Sequence, residues 1–401
     1  MGHTHICLPC ASAAQYREYV DDPAQYRQYL SAMLPQYPAL FPQDMDQGFP
    51  LHDCSVSIKQ DLLMRRITLL TTGAVFTLRP SFVMPYMIAR PDAVEKALSL
   101  RQWGGPFDAL ASVCGREALC WYRAWLACGR PSLVGTTVKD PHQVPRALVA
   151  DEQLTQVAKQ QVSVPTIGGG GCFWGVSVVE AADTGTLERG SGECAQEAQA
   201  LDPTDHARAV CTEGGEATRQ AWRQLFPQIT VGRCFLHAIL KMQQHCAGPL
   251  RHQILDTAWQ VSQAATPRQC AQRLRRLAAW TSVHRSGPVA TMVLQRCRRR
   301  ADCTPASACP QAHRPSQAVD RLINDQDRRL YAMRYGHGTT DSARLAVRAM
   351  ALQWHVHPYG ARLRRDQPSR TAPFDDLNGF QYHPHWLHNL LIASSMGGLR
   401  H

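Results

Sequence analysis

The reading of the fold turns on eight stretches: RALVADE (146–152), QVSVPTI (161–167), GGGG (168–171), CFWGVSVVEAA (172–182), LERGSGECAQEAQAL (187–201), ARAVCT (207–212), EATRQAWRQLF (216–226) and QITVGR (228–233). Short apolar runs rich in β-branched residues and bounded by turn residues read as strands. Apolar positions three and four apart read as helices. On these rules residues 146–150 form a strand that ends at Asp151, residues 161–167 a second, and residues 172–182 a long third. The glycines at 168–171 turn the chain between the last two. No Gly-Lys-Ser/Thr follows them, so they are not a phosphate-binding loop. Residues 187–201 form a helix, 207–212 a buried strand ending at Glu213, 216–226 a helix, and 228–233 a strand. The order β-β-β-α-β-α-β predicts an antiparallel meander continued by parallel crossovers, hence a mixed sheet.

That order is the layout of an RNase H-like core, and the predicted fold class is α/β. Before it, residues 1–140 read as a mixed region, with helices at 14–19 and 23–34, β runs at 66–72 and 74–78, and helices at 92–100, 106–114 and 116–128. The last two, joined at Gly115 and carrying Arg116, Arg123 and Arg130, fit either a DNA-reading helix-turn-helix or a plain helical hairpin. Past the core, nearly everything reads helical: 234–246, 250–265, 267–280 and 289–300. A Pro-, Ala-, Cys- and Ser-rich linker at 301–315 precedes helices at 316–335, 341–355 and near 385–394. The expected organisation is an N-terminal DNA-binding or oligomerisation region (1–140), the first part of the core (141–240), a helical basic insertion (241–312), and core completion with C-terminal helices (313–401).

The composition narrows the function. The 401 residues carry 43 Lys and Arg against 32 Asp and Glu, a formal charge of +11, and 38 of the basic residues are arginine. Arginine forks phosphate oxygens, so an Arg-rich basic chain points to nucleic acid. The excess has an address. Residues 268–300 hold nine arginines and no acid, which suits contact with a DNA backbone. Arg275, Arg276, Arg298, Arg299 and Arg300 are the candidate contacts there, with Arg314 beyond them. No run of 18 apolar residues exists, which excludes a membrane-spanning helix of the usual kind. Fifteen scattered cysteines do not form the framework of a small secreted domain. The N-terminal apolar run lacks a basic flank. A cytoplasmic, nucleoid-associated protein is expected.

Two acids stand at the ends of predicted strands, Asp151 and Glu213, and Asp320 lies on a predicted helix. Functional side chains collect at strand ends in α/β sheets. Three converging carboxylates are a site for divalent cations with hard oxygen ligands, Mg²⁺ or Mn²⁺. Two such ions can activate a nucleophile and stabilise the leaving oxygen of a phosphodiester. Cys234 and His237, three apart on one helix, read as a structural pair beside that site rather than a zinc centre, because two ligands alone do not hold zinc. The His3, His5, Cys7, Cys10 segment and the C-terminal histidines (His355, His357, His383, His385, His388) read as incidental or hydrogen-bonded rather than metal-ligating.

Several motifs together resemble bacterial insertion-sequence transposases of the DDE type. They include Val149-Ala150-Asp151-Glu152, the run from Cys211-Thr212-Glu213 through Ala221-Trp222 to Leu225-Phe226-Pro227, and Cys234-Phe235-Leu236-His237. Further along stand His313-Arg314 before Asp320-Arg321-Leu322, His337-Gly338-Thr339, Asn378-Gly379-Phe380, Trp386-Leu387 and Asn389-Leu390-Leu391. Arg79-Pro80-Ser81-Phe82 and Val134-Gly135-Thr136-Thr137-Val138-Lys139 extend the likeness to the N-terminal part. The Cys234-x-x-His237 pair is similar to the signature that Mutator-like transposases carry shortly after the second acid. The resemblance implies a catalytic triad of Asp151, Glu213 and Asp320 holding two Mg²⁺ or Mn²⁺ ions, with Trp222, Cys234 and His237 as accessory residues. It implies cleavage of double-stranded DNA at element ends, strand transfer into target DNA, and a homo-oligomer on the DNA. Three motif positions depart from the pattern. Glu213 stands where the group has Asp, followed by Gly214-Gly215 in place of Gly-Trp, and Pro315-Ser316-Gln317 replaces a Thr-Ser-Asn type run. A catalytically inactive DNA-binding remnant is the first alternative, a cellular RNase H-like nuclease the second.

Overall fold

The computed structural model describes residues 4–85, 91–204, 207–212, 215–245, 250–284, 287–298, 317–333 and 338–399. For residues 235–238, 240, 250, 317–321 and 331–333 it describes the backbone only. In chain order the first elements are β1 (His5–Leu8), α1 (Ala13–Asp21), α2 (Pro23–Gln36), β2 (Leu51–Ser57), β3 (Leu62–Thr68), β4 (Val75–Pro80), α3 (Pro91–Gln102), α4 (Phe107–Cys114), α5 (Ala118–Cys128) and α6 (Leu133–Thr137). Then come β5 (Ala147–Val157), β6 (Gln160–Gly169), β7 (Cys172–Val176), α7 (Thr184–Leu201), β8 (Ala209–Thr212), α8 (Glu216–Leu225) and β9 (Thr230–Arg233). Helices α9 (Phe235–Gln244), α10 (Leu250–Ser262), α11 (Pro267–His284), α12 (Pro288–Arg298), α13 (Gln317–Met333), α14 (Thr340–Val356), α15 (Ala361–Asp366), α16 (Pro373–Asn378) and α17 (Trp386–Ala393) complete the chain. It is a mixed α/β protein. No helix among the described residues is long and apolar enough to cross a membrane.

The chain divides into two compact units. One gathers Met1–Val144, Gln196–Asp205 and Tyr331–His401; the other gathers Pro145–Ala195 and His206–Leu330.

The first unit contains a sheet of order β1-β4-β3-β2, with β1 parallel to β4 and the other pairs antiparallel. The sequence reading found β3 and β4 but not β1, four residues long, or β2, a half-exposed edge strand. Helix α14 is the spine of this unit, because Ala, Val, Leu and Met cover most of its surface and it is buried on nearly every side. The backbone of Gly129, just after α5, approaches α14 so closely that a Cβ there would stand 2.0 Å from the Leu345 carbonyl oxygen. Arg348, also on α14, donates to the Gly129 and Pro131 carbonyls and to Glu197 at 2.6 Å. The pair α4–α5 is a helical hairpin. Trp121, Ala124, Trp125 and Cys128 of α5 are buried, so the apolar face of that helix is spent on the core.

The second unit is built on a sheet of order β7-β6-β5-β8-β9. Strands β5, β6 and β7 form an antiparallel meander, and β5-β8-β9 run parallel. Both hairpins close in two residues. Gly170 and Gly171 have φ of 59° and 85°, and Ala158 and Lys159 have φ of 49° and 68°, the left-handed backbone of a tight hairpin turn. The predicted four-glycine turn is therefore two residues, and Gly168 and Gly169 belong to β6. A larger correction concerns β5. It does not end at Asp151 but runs six residues further, to Val157. What ends there is the parallel ladder, whose last pair is Ala150 with Thr212.

Helices cover both faces of this sheet, since side chains on a strand alternate. On the face of Pro165 and Ile167, α7 packs so closely that a Cβ on Gly190 would stand 2.9 Å from Pro165, and one on Gly175 would stand 2.8 Å from Cys194 and Ile167. On the opposite face α13 lies over β6: Leu322 approaches Gly168, and Gln326 bonds Thr166. A separate apolar cluster ties α9 to α12 through Ile239, Met242, Ile254, Leu274, Leu277 and Val293.

Candidate functional site

Asp151 stands near the middle of β5 with only 6% of its surface exposed. The local cause is the sheet itself. Residues 147–150 are apolar and paired with β8, Val149 and Ala150 also with β6, and Asp151 is the first polar residue to follow them. Its Oδ1 accepts the backbone N–H of Glu152 at 3.0 Å. Burying a carboxylate costs several kcal/mol unless charge or hydrogen bonds answer it, and a buried carboxylate on a sheet of this kind is a candidate functional group.

The neighbouring chain is fixed on both sides up to Thr212. Thr212 pairs with Ala150 on β5 and with Arg233 on β9, and its carbonyl accepts the Cys234 N–H at 2.6 Å. In sequence, Glu213 directly follows Thr212 as Asp151 directly follows Ala150. Glu213 itself lies outside the described residues. Asp320 falls within helix α13, but its side chain is outside the described set. Among the described residues, no group of three or more His, Cys, Asp or Glu side chains is placed to hold a metal ion.

Helix α13 crosses the face that bears Asp151. Asp151 and Thr166 are direct cross-strand partners, and Gln326 Nε2 donates to Thr166 Oγ1 at 2.6 Å. Gln326 is fully buried. Beside it on the helix, Asp325 is 9% exposed and meets Arg329 at 2.7 Å and Arg328 at 3.3 Å. Burial pulls the Arg329 guanidinium down from its ordinary value, and Asp325 opposes that pull. Sequence reasoning passed over Asp325 and Gln326. The available signal was the helical spacing of Leu322, Gln326 and Leu330, which sets one polar residue on an apolar stripe.

The accessory residues take structural positions. Trp222 is 1% exposed and stacks on Phe226 at 5.9 Å. Cys234 is buried and stands just before the first residue of α9, with no side-chain capping bond to the helix; the side chain of His237 is outside the described residues. In the N-terminal segment, Cys7 and Cys10 are buried, and burial raises both thiols, Cys10 to about 12, so they stay protonated. His383 stacks on His388 at 4.4 Å, and His388 Nε2 meets Asp92 at 3.1 Å. Burial, helped by the other two histidines, lowers His383 to about 4.

The basic face of the second unit is on α11 and α12. Arg268, Arg275, Arg276 and Arg298 are exposed, while Cys270, Leu274, Leu277, Val289 and Val293 point into the helical cluster. From α9 through α12 the one acid is Asp256. Arg299, Arg300 and Arg314 lie outside the described residues. Two comparisons, one with protein-family models and one with curated proteins, gave no match to this chain.

Proposed function

We propose that the chain is a DNA transposase of the DDE type, built on an RNase H-like core in its second unit. The observation that carries this reading is Asp151. It is a buried carboxylate at the residue where the parallel ladder ends, in a mixed sheet whose strands, counted from β5, stand in the order 3-2-1-4-5. The chain that leaves the fourth strand continues into Glu213, and the helix that carries Asp320 lies on Asp151's face of the sheet. A sheet of this order with acids on the first strand, after the fourth, and on a covering helix is what phosphodiester cleavage of this class uses.

The donors are hard oxygens, which suits Mg²⁺ or Mn²⁺. When bound, such ions supply Lewis-acid stabilisation of the charge that develops on the phosphate oxygens. The chain's own share is to hold Asp151 on β5, paired with Thr166 of β6 just past the end of the parallel ladder with β8, and to bring the duplex to it. The reaction class is hydrolysis of a P–O3′ bond at an element end, followed by attack of the freed 3′-hydroxyl on target DNA. The arginines of α11 and α12 hold the backbone, an interaction without sequence choice. Acting on paired element ends calls for a homo-oligomer on the DNA.

A second reading is a DNA-binding protein that has lost cleavage. Glu213 favours it. Glutamate is one methylene longer than aspartate, so its carboxylate reaches about 1.5 Å further, and catalytic geometry is held within about 0.5 Å. The test is strand cleavage of linear and branched duplexes in Mg²⁺ or Mn²⁺ by the wild type and Asp151→Asn. Transposase chemistry predicts nicks on linear duplex with 3′-hydroxyl ends that vanish in Asp151→Asn. Duplex binding without nicks assigns the second reading, and preference for branched DNA assigns a cellular nuclease.

A further inference from the structure

Strand β2 ends the first unit's sheet. It is hydrogen-bonded to β3 on one side, and among the described residues no strand pairs with its other edge. The open edge of a sheet is a template for another strand, and proteins usually blunt it with charge, proline or a bulge. The bulge of β2 lies between Leu51 and Cys54, and past it residues 54–57 pair with 62–65 in regular register. The run Cys54-Ser55-Val56-Ser57-Ile58 holds neither a charge nor a proline. The half of β2 next to the turn is therefore open to pairing.

That half is also apolar where it meets solvent. Val56 is 68% exposed, its cross-strand partner Leu63 is 46% exposed, and Ile58, just past the strand, is 91% exposed. Cross-strand partners share one face of the sheet. Exposed apolar side chains grouped in one patch mark interaction surfaces.

The sequence of this edge is complementary to itself. When two copies of β2 lie antiparallel with Val56 opposite Val56, Ser55 faces the partner's Ser57. Cys54 then comes beside the partner's Ile58, and Asp53 beside the partner's Lys59. Apolar residues meet in the middle of one face, and each end sets an acid against a base. Asp53 already holds Arg66, and a carboxylate has room for a further donor. A shift of one residue would set Val56 against a serine and part Asp53 from Lys59. A two-fold axis lets one patch serve both copies, as isologous interfaces do.

We propose that the chain pairs with a second copy of itself through β2, antiparallel and centred on Val56, so that the two sheets join edge to edge. This gives a surface to the homo-oligomer of the proposed function, but it rests on the β2 edge and makes no use of Asp151.

Sedimentation of the full chain without DNA tests it, because mass reports association and is blind to cleavage. The wild type should sediment as a dimer that dissociates on dilution. Val56→Asp sets two carboxylates face to face. It should sediment as a monomer while keeping the far-UV circular dichroism of the wild type, since the side chain is exposed. Val56→Lys should do the same, and an equal mixture of the two variants should return the dimer. A monomeric wild type would overturn the proposal. So would a dimeric Val56→Asp, which would put the contact on another surface, or a mixture that stays monomeric, which would give β2 another occupant or register. Should Val56→Asp not fold, Lys59→Glu decides. It turns both end pairs into acid against acid and should weaken the dimer about ten-fold; a dimer of unchanged strength refutes the pairing.

Discussion

Asp151 and His355 are both buried, and they are buried for opposite purposes. Asp151 sets a carboxyl group on a sheet among apolar residues, its Oδ1 accepting the Glu152 N–H. His355, at 0% exposure with Nδ1 at 2.7 Å from Thr137 Oγ1, is a core residue that must stay neutral. Burial lowers it from 6.5 to about 3. Its folded value lies below its unfolded value, so the unfolded chain binds a proton in that interval and the folded chain does not. The stability involved is fully present above pH 6.5 and is lost as pH falls toward 3, at about 1.4 kcal/mol per pH unit. Urea denaturation at pH 4.5, 5.5 and 7 should therefore show acid destabilisation that His355→Gln reduces by that slope. An unchanged slope in the variant would place the titrating group elsewhere. From sequence, His355 was one of five C-terminal histidines with no way to rank them. Nothing in their spacing says that one sits on a helix buried along most of its length.

At the scale of elements, tight turns and close approaches give the sharpest expectations. The β5–β6 hairpin closes on Ala158 and Lys159, both with positive φ and neither a glycine. Ala158→Asn with Lys159→Gly should stabilise the protein by about 1 kcal/mol, read as a shift in urea midpoint. A loss would mean that the turn does not adopt this backbone in solution. In the first unit, Arg348→Met takes the guanidinium from Glu197 Oε1, leaving that carboxylate only the Ser132 and Val134 bonds to Oε2, and removes a donor from two carbonyls. It should cost about 3 kcal/mol in the same assay. The meander and the two crossovers were legible because β6 and β7 are apolar on both faces and glycines mark their turn. The far half of β5 was not. Beyond Asp151 its residues are mostly polar and half-exposed, the pattern of a loop, and only the antiparallel partner β6 keeps them extended. Strands β1 and β2 were hidden for related reasons: β1 has four residues, and β2 is a polar edge held by one neighbour. Of the candidate site, Asp151 was legible as an acid closing an apolar run. The contact of Gln326 with Thr166 was not, because it comes from where α13 crosses the sheet.

At the scale of the whole chain, the charge of +11 is concentrated rather than spread. Helices α11 and α12 carry exposed arginines over an apolar seam, the face to which the proposed function assigns the DNA backbone. Each phosphate contact contributes a slope of about −0.9 in log K against log salt. Reversal of Arg275, Arg276 and Arg298 to Glu should flatten the salt dependence of duplex binding by two to three contacts' worth while leaving the second unit's melting transition in place. A slope that does not change would move the DNA surface off these helices. The most direct test of the central claim uses Glu213→Asp, which returns the second acid to the length this chemistry uses, alone and combined with Asp151→Asn. The measurement is the yield of 3′-hydroxyl nicks on duplex DNA in Mn²⁺. If the chain is a transposase of this type, Glu213→Asp nicks faster than the wild type, and adding Asp151→Asn lowers the yield by at least about a hundred-fold. Nicking by the double variant at the rate of Glu213→Asp alone would contradict that reading.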